Sequence, residues 1–277
     1  SLKYEEGTVT VSGGTPVAGV TPGVLSLGSS STVNVASGVT GLLNASLTGS
    51  NGLTKTGAGN LLLGTTNIYN SGLTGTISIK EGALSAGSSS SNQNATNALL
   101  ISLGDTSGSA AATFSLNRNQ NFNSNIQVNS GSSGVKRISG GPGLTAQQAP
   151  SITGTVALND DLTLGNGTTP VYTGNNYGGV RLSGVITGNK KITVDGANAF
   201  TTPQDYTTNI TSGTLATTMA QISGANTSSF TGNVAIERGA LVIQNSGAIG
   251  NGTALVTTAP GAVLNLANQS ISIAGLG

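Results

Sequence analysis

The sequence predicts an all-β protein that folds as a parallel β-helix, a solenoid of short strands, with loop insertions. An eleven-residue phrase, T-G-x-[IV]-x-[IV]-x-x-G-A-L, occurs at residues 74–84 and again at residues 231–241. A repeated unit of strand and turn is typical of a solenoid, in which each unit buries its apolar face only against its neighbours. The chain is also rich in β-branched residues and contains 43 glycines, which favours many short strands joined by tight turns.

Alternating segments follow one another along the chain and predict its strands. In the first copy of the phrase, alternation with period two places Ile77 and Ile79 on one face and Ser78 and Lys80 on the other. The glycine that follows each strand supplies the positive φ that a sharp corner requires. A looser form, [IV]-x-[IV]-x-x-G, recurs at 33–38 and 126–131, and further alternating segments lie at 8–11, 61–63, 156–158, 162–164, 192–194, 264–266 and 271–273.

The spacing of these segments is irregular, which favours a β-helix with variable loops and one domain over residues 1–277. A coil of roughly 20–25 residues implies about 11–13 coils. Three proline-containing segments predict loops that leave the solenoid, at 140–150, 168–179 and 201–206, and residues 88–94 form a polar stretch of low complexity. No segment predicts an amphipathic helix. We expect the chain to be a segment or a repeating subunit of a longer assembly.

Composition excludes several classes of function. The formal net charge is +1, and the 10 Lys and Arg residues are spread along the chain, so we expect no nucleic-acid partner. The chain has no His and no Cys, which removes imidazole catalysis, His-ligated metals and thiolate chemistry. We therefore expect no metal and no cofactor. No apolar run is long enough to insert in a membrane, and the lack of Cys favours an extracellular or cell-surface location.

Carboxylates are the remaining source of catalysis, because glycoside hydrolysis needs two of them across a cleft. Asp160 and Asp161 are adjacent, and Asp195 could approach them from a later coil. The alternative, which we favour, is that residues 159–161 form a solvated corner, since Asn and Asp prefer turns. The charged residues in the turn of the repeated phrase, Lys80, Glu81, Glu237 and Arg238, are expected to be surface charges of small energetic value.

A second candidate site would bind glycans through aromatic rings. Tyr172, Tyr177, Arg181 and Tyr206 lie in or beside the predicted loops. Tyrosine rings stack on sugar faces and carry a hydroxyl group for hydrogen bonding. The alternative is that these rings cover the edges of coils in a protein with few large side chains, and we favour that interpretation.

Part of the chain resembles the passenger-associated β-strand repeat of autotransporter proteins. The resemblance begins at residues 53–63, LTKTGAGNLLL, and continues through Asn67, Tyr69 and Gly75 to residues 82–84. A second copy, residues 224–241, is a partial match with Phe230 near the family tyrosine, and residues 247–277 are similar to the stretch that commonly follows such repeats. The clear match covers about a quarter of the chain. It implies a right-handed parallel β-helix on a secreted or surface-displayed bacterial protein, and it brings no catalytic residues.

The function that we expect is a non-enzymatic extracellular scaffold, part of an adhesin, stalk or fibre. The alternatives are a carbohydrate-active β-helix enzyme and a glycan-binding surface module. An enzyme should have at least two carboxylates converging in a groove with a basic partner, whereas a scaffold should have them scattered. We also expect copies to associate end to end, because terminal strands leave backbone groups unpaired. The residues predicted at this interface are Thr8, Val9, Thr10, Val11, Ile271, Ser272 and Ile273.

Overall fold

The computed structural model describes residues 1–13, 23–29, 31–64, 72–86, 99–117, 121–140, 150–165, 179–196 and 219–277. Within these ranges the protein is all-β, with 27 strands and no helix. It therefore includes no helix that is long and apolar enough to cross a membrane. Residues 88–94 and most of the three predicted loops lie outside the described residues.

The strands, numbered in chain order, form three long sheets and one short sheet, and every pairing is parallel. The eight-stranded sheet contains β1 (Leu2–Tyr4), β4 (Thr32–Val35), β7 (Leu53–Thr56), β9 (Thr76–Ile79), β11 (Leu100–Leu103), β14 (Asn125–Val128), β17 (Val156–Leu158) and β20 (Ile186–Gly188). The two-stranded sheet pairs β3 (Val24–Ser26) with β6 (Ser46–Thr48).

The eleven-stranded sheet is the longest. It contains β2 (Thr8–Ser12), β5 (Thr40–Asn44), β8 (Asn60–Leu63), β10 (Gly82–Ala86), β12 (Ala112–Leu116), β15 (Lys136–Gly140), β18 (Leu162–Leu164), β21 (Ile192–Asp195), β23 (Val234–Arg238), β25 (Leu255–Thr258) and β27 (Gly275–Leu276). The six-stranded sheet contains β13 (Asn121–Phe122), β16 (Ser151–Ile152), β19 (Val180–Leu182), β22 (Met219–Ile222), β24 (Ala240–Ile243) and β26 (Val263–Asn265). The chain visits these sheets in rotation, so successive strands of one sheet are separated by a visit to another.

Rows of aliphatic side chains, one from each strand, form the core. Because strands pair in register, residues of similar type stack directly on one another. In the eight-stranded sheet one buried row is Leu53, Ile77, Ile101, Ile126, Val156 and Ile186. In the eleven-stranded sheet another is Leu61, Leu84, Phe114, Ile138, Leu164, Val194 and Ile236. The predicted inward positions of the repeated phrase, Ile77, Ile79, Val234 and Ile236, are confirmed as buried.

The repeated phrase forms the same local structure twice, a strand, a glycine corner and a second strand. The corner glycines have positive φ, 70° at Gly82 and 77° at Gly239, as the sequence predicts. The two copies nevertheless occupy different sheets. The first runs from β9 of the eight-stranded sheet into β10 of the eleven-stranded sheet, whereas the second runs from β23 of the eleven-stranded sheet into β24 of the six-stranded sheet. The phrase therefore specifies a corner and not a particular face.

The sheets end in strands that have a partner on one side only within the described residues. At the amino-terminal end, residues 8–11 lie in β2, as predicted, and Val9 is 40% exposed. At the carboxy-terminal end the prediction was wrong in detail, because residues 271–273 form no strand and the edge strand is β27. Ile271 and Ile273 are half-buried against the core. Gly252 N–H donates to the carbonyl of Ser272 at 3.2 Å outside any ladder.

Candidate functional site: a charged groove on the eleven-stranded sheet

A groove of about 430 Å³ opens on the outer face of the eleven-stranded sheet. Its walls carry three basic residues, Lys136, Arg137 and Lys191, and four acidic residues, Asp160, Asp161, Asp195 and Glu237. The whole chain has only 10 Lys and Arg and 9 Asp and Glu residues. More than a third of all its charged side chains therefore line one groove.

The sheet register builds the floor of this groove. Arg137, Thr163 and Thr193 are partners on the neighbouring strands β15, β18 and β21, so their side chains form one outward row. Their neighbours in sequence, Ile138, Leu164 and Val194, form the inward row of the core. The alternation that fills the core thus also places cationic and hydroxyl groups at the groove.

A β-bulge changes the direction of the side chains at one end of the groove. The register between β21 and β23 shifts after Val194, which pairs with Ile236, so that Asp195 pairs with Arg238. Glu237 is the extra residue of the bulge, and its exposed side chain lines the groove. Bulges of this kind reorient side chains and are frequent beside functional sites.

Two arginines hold the buried carboxylate of Asp195, which is 7% exposed. Arg137 Nη2 donates to Oδ2 at 2.9 Å, and Arg238 Nε donates to Oδ1 at 2.8 Å. Arg238 Nη2 also donates to Oδ1. Arg137 Nη1 donates to the carbonyl of Gly165 at 2.7 Å. These charge-assisted bonds fix the guanidinium planes at one end of the groove.

A second ion pair joins Lys136 of β15 to Asp160, which lies in the corner between β17 and β18. The Lys136 ammonium group is buried and donates to Asp160 Oδ2 at 2.7 Å and to the carbonyl of Ser132. Burial raises the pKa of Asp160, but the hydrogen bonds from Lys136 and from the Asp161 N–H outweigh it, so that the pKa is lowered overall. Asp160 is therefore ionised at neutral pH.

Three charged groups of the groove keep hydrogen-bonding capacity. Within the described residues no hydrogen bond or ion pair engages the Lys191 ammonium group or the Glu237 carboxylate, and both side chains are exposed. Asp161 is exposed, and its Oδ1 accepts the backbone N–H of Lys191 at 2.9 Å, while Oδ2 has no hydrogen-bond partner among the described residues. Both donors and acceptors therefore remain available to a ligand.

The structure corrects several sequence expectations here. Asp195 does line one groove with Asp160 and Asp161, and the corner at 159–161 is not merely solvated, because Asp160 binds a buried lysine. Arg238 is not a simple surface charge, since it holds Asp195. Glu81 is not one either, because its Oε2 accepts the Gly57 N–H at 3.2 Å. Lys80 forms a partly exposed ion pair with Asp105 at 3.2 Å, as expected of a surface charge.

Lys136 and Arg137 were missed, although the sequence carried a signal. Paired charges occur as Lys136-Arg137, Asp160-Asp161 and Lys190-Lys191. Lys136 and Asp160 are 24 residues apart, and Asp161 and Lys191 are 30 apart. Charge pairs of alternating sign, separated by about one coil, indicate side chains that lie close together in adjacent coils.

The predicted aromatic platform cannot be compared with the groove. Tyr172, Tyr177 and Tyr206 lie outside the described residues. Arg181 lies in β19 of the six-stranded sheet, where its Nε donates to Gln221 Oε1 at 2.7 Å. The platform therefore stays a prediction.

Another charged side chain, Lys55, occupies a core-facing position that hydrophobic residues fill in neighbouring strands. It pairs with Val33 on one side and Ile79 on the other and is fully buried. Its ammonium group donates to the carbonyls of Thr56, Gly57 and Glu81, at 2.9, 2.6 and 3.1 Å. Burial lowers the pKa of Lys55 to about 8, and the Glu81 carboxylate opposes the lowering. This lysine, the K of the LTKTGAGNLLL segment at residues 53–63, joins two coils.

Among the described residues no group of three or more His, Cys, Asp or Glu side chains could hold a metal ion. Comparisons of the chain with protein-family models, with curated proteins and with solved structures found no match. The resemblance to the autotransporter repeat therefore stays a prediction that rests on its motif residues.

Proposed function

We propose that this chain is a non-enzymatic extracellular scaffold, part of a bacterial surface adhesin, stalk or fibre, built as a right-handed parallel β-helix. The observation that carries the proposal is the set of continuous aliphatic rows beneath three long parallel sheets. Such rows give a rigid rod whose length grows with each added coil. Right-handedness is supported by the general rule that about 98% of crossovers between parallel strands are right-handed.

The autotransporter-like phrase supports the extracellular location and gains a physical rationale. The lysine of that phrase is Lys55, whose ammonium group donates hydrogen bonds to the carbonyls of Gly57 and Glu81 beside a glycine corner. The eleven-residue phrase at 74–84 and 231–241 encodes one corner of a coil and can recur on any face, in keeping with its two copies in different sheets.

The ends of the rod support self-association as its mode of assembly. Exposed apolar side chains are concentrated at the edges, with Val9 and Val24 at one end and Leu255, Leu266 and Leu276 at the other. The edge strands β2, β3 and β27, which carry Val9, Val24 and Leu276, offer backbone N–H and C=O groups that a second copy would pair with, as in β-strand addition. Contact between unlike ends does not close on itself and builds a filament.

The test is sedimentation and electron microscopy of the wild type beside a Val9→Lys/Leu276→Lys variant. We expect concentration-dependent rods for the wild type, weakly affected by salt because backbone pairing and apolar contacts carry the interface, and monomers for the variant. Val185→Lys replaces an exposed valine away from the ends and is the control that should still form rods. A wild type that stays monomeric at all concentrations would contradict end-to-end assembly.

A carbohydrate-active enzyme is the second candidate, because the groove meets the criterion set for an enzyme above: four carboxylates converge there with three basic side chains and are not scattered. Two features count against Asp160 and Asp195 as the catalytic acid and leave Asp161 and Glu237 to be tested. Glycoside hydrolysis needs a protonated carboxylic acid, yet the pKa of Asp160 is lowered, and Asp195 is held by two arginines. Release of reducing ends from polysaccharides by the wild type, lost in Glu237→Gln, would favour the enzyme instead.

A further inference from the structure

We propose that the groove on the eleven-stranded sheet binds an uncharged, hydroxyl-rich glycan. The proposal goes beyond the scaffold function, since it assigns a ligand class to a site on the side of the rod, away from the edge strands. It needs neither end-to-end assembly nor turnover, and it does not involve the predicted tyrosine platform.

Charge balance is the first argument. The four groove carboxylates face three basic residues of the groove, while Arg238 binds Asp195 and Lys190 lies near enough for its charge to act on Asp160. With four acidic and five basic groups the net charge is small, so the groove offers only a weak field to select an anion or a cation. Such a balanced site is compatible with a neutral ligand and gives a charged ligand little attraction.

The arrangement of uncommitted hydrogen-bonding groups is the second argument. Each hydroxyl group of a sugar both donates and accepts, and the groove presents both kinds of partner. Lys191 donates, Glu237 and Asp161 Oδ2 accept, and the Thr163 and Thr193 hydroxyls on the floor can do either. Its volume of about 430 Å³ lies within the range of ordinary ligand sites.

Preorganisation is the third argument. The ion pairs of Asp195 and Asp160 fix the base of the groove before any ligand arrives. The bulge holds Glu237 outward at one end, while Lys191 lies directly before β21 at the other side. No aromatic ring lines the groove among the described residues, so we expect affinity from hydrogen bonds and not from ring stacking, and therefore a weak site.

The test is a titration of the wild-type chain with neutral oligosaccharides (hexamers of glucose, xylose and mannose) and with charged ones (oligogalacturonate and heparin). Binding is followed by isothermal calorimetry. We expect at least one neutral oligosaccharide to bind, with an affinity that changes less than about twofold between low and high salt. Glu237→Gln with Lys191→Met should weaken it by about tenfold or more, the usual effect of losing hydrogen bonds to charged groups.

Exposed charges outside the groove provide the matched control. Glu6→Gln with Lys3→Met makes the same chemical changes near the amino terminus and should leave the affinity unchanged. The proposal is overturned if no neutral oligosaccharide binds, if charged oligosaccharides bind more tightly, or if the groove variant binds as well as the control. Circular dichroism of both variants confirms that they are folded, and filament assays on them separate this result from the scaffold proposal.

Discussion

At the scale of single residues, Lys55 sets the strongest constraint, because it takes a charge into the core. Three backbone carbonyls accept its N–H groups, so burial leaves no donor unsatisfied. The cost of desolvation nevertheless lowers its pKa from the ordinary 10.5 to about 8. Below pH 8 Lys55 is protonated in both the folded and the unfolded chain. Between pH 8 and 10.5 it is protonated mainly in the unfolded chain.

This difference predicts a pH dependence of stability. Because the unfolded state binds more protons between pH 8 and 10, the free energy of unfolding should rise with pH there, by about 2 kcal/mol relative to Lys55→Met. Tyr4, whose pKa is raised by burial, is common to both proteins and cancels. Chemical denaturation at pH 8, 9 and 10 measures the difference. Lys3→Met is the control, and a Lys55→Met curve parallel to the wild type would contradict the assignment.

Arg238 provides a second prediction at this scale. Arg238→Ala leaves the buried Asp195 with one arginine, so we expect a loss of about 2 kcal/mol in unfolding free energy. Lys80→Ala, at the corresponding turn of the other copy, breaks only a partly exposed pair and should cost less than about 1 kcal/mol. Denaturant titration of the two variants compares them directly, and equal losses would mean that Asp195 does not depend on Arg238.

At the scale of elements, the glycine corner requires both a positive φ and space for the backbone of the neighbouring coil, and substitutions at two glycines can separate these requirements. Gly82 has φ 70°, and a Cβ there would lie under 3.0 Å from the carbonyl oxygens of Gly57 and Gly59. Gly38 has φ 75° but nothing within 4 Å of an added Cβ. Gly38→Ala should therefore cost only backbone strain, about 1–2 kcal/mol, and Gly82→Ala clearly more. Thermal unfolding measures the two variants. An equal decrease in melting temperature for both would show that the spacing between coils tolerates the added methyl group at Gly82.

The sequence predicted these elements well where local rules decide. Alternation and glycine identified the strands around Ile77, Ile79, Val234 and Ile236 and both corners, because strand faces and positive φ are local properties. It failed at residues 271–273, where the same alternation forms no strand because the ladder resumes at β27. It also failed for Arg238, whose direction depends on a bulge against a strand about forty residues earlier. The register between coils depends on contacts between segments that are distant in sequence, so no single segment predicts it.

At the scale of the whole molecule, each strand contacts mainly the strands before and after it in its sheet. The free energy of unfolding in such an arrangement is close to a sum of contributions from each coil and from its contacts with the adjacent coils. A destabilising substitution should therefore unfold only the coils near it. A globular core would instead lose protection everywhere at once. The long parallel sheets of this chain therefore predict local and not global loss of structure after a lesion near one end.

The test places an unpaired carboxylate in the last part of the core. Val256 is buried in β25, and its neighbour Thr257 is exposed on the same strand. Val256→Asp should open β25 to β27, because a buried charge without a partner is costly, while β7 to β14 keep their amide protection. Thr257→Asp adds the same charge on the outer face and should leave both regions protected. Hydrogen exchange with mass spectrometry resolves the two ends, and a uniform loss of protection in Val256→Asp would mean that the sheets fold as one cooperative core.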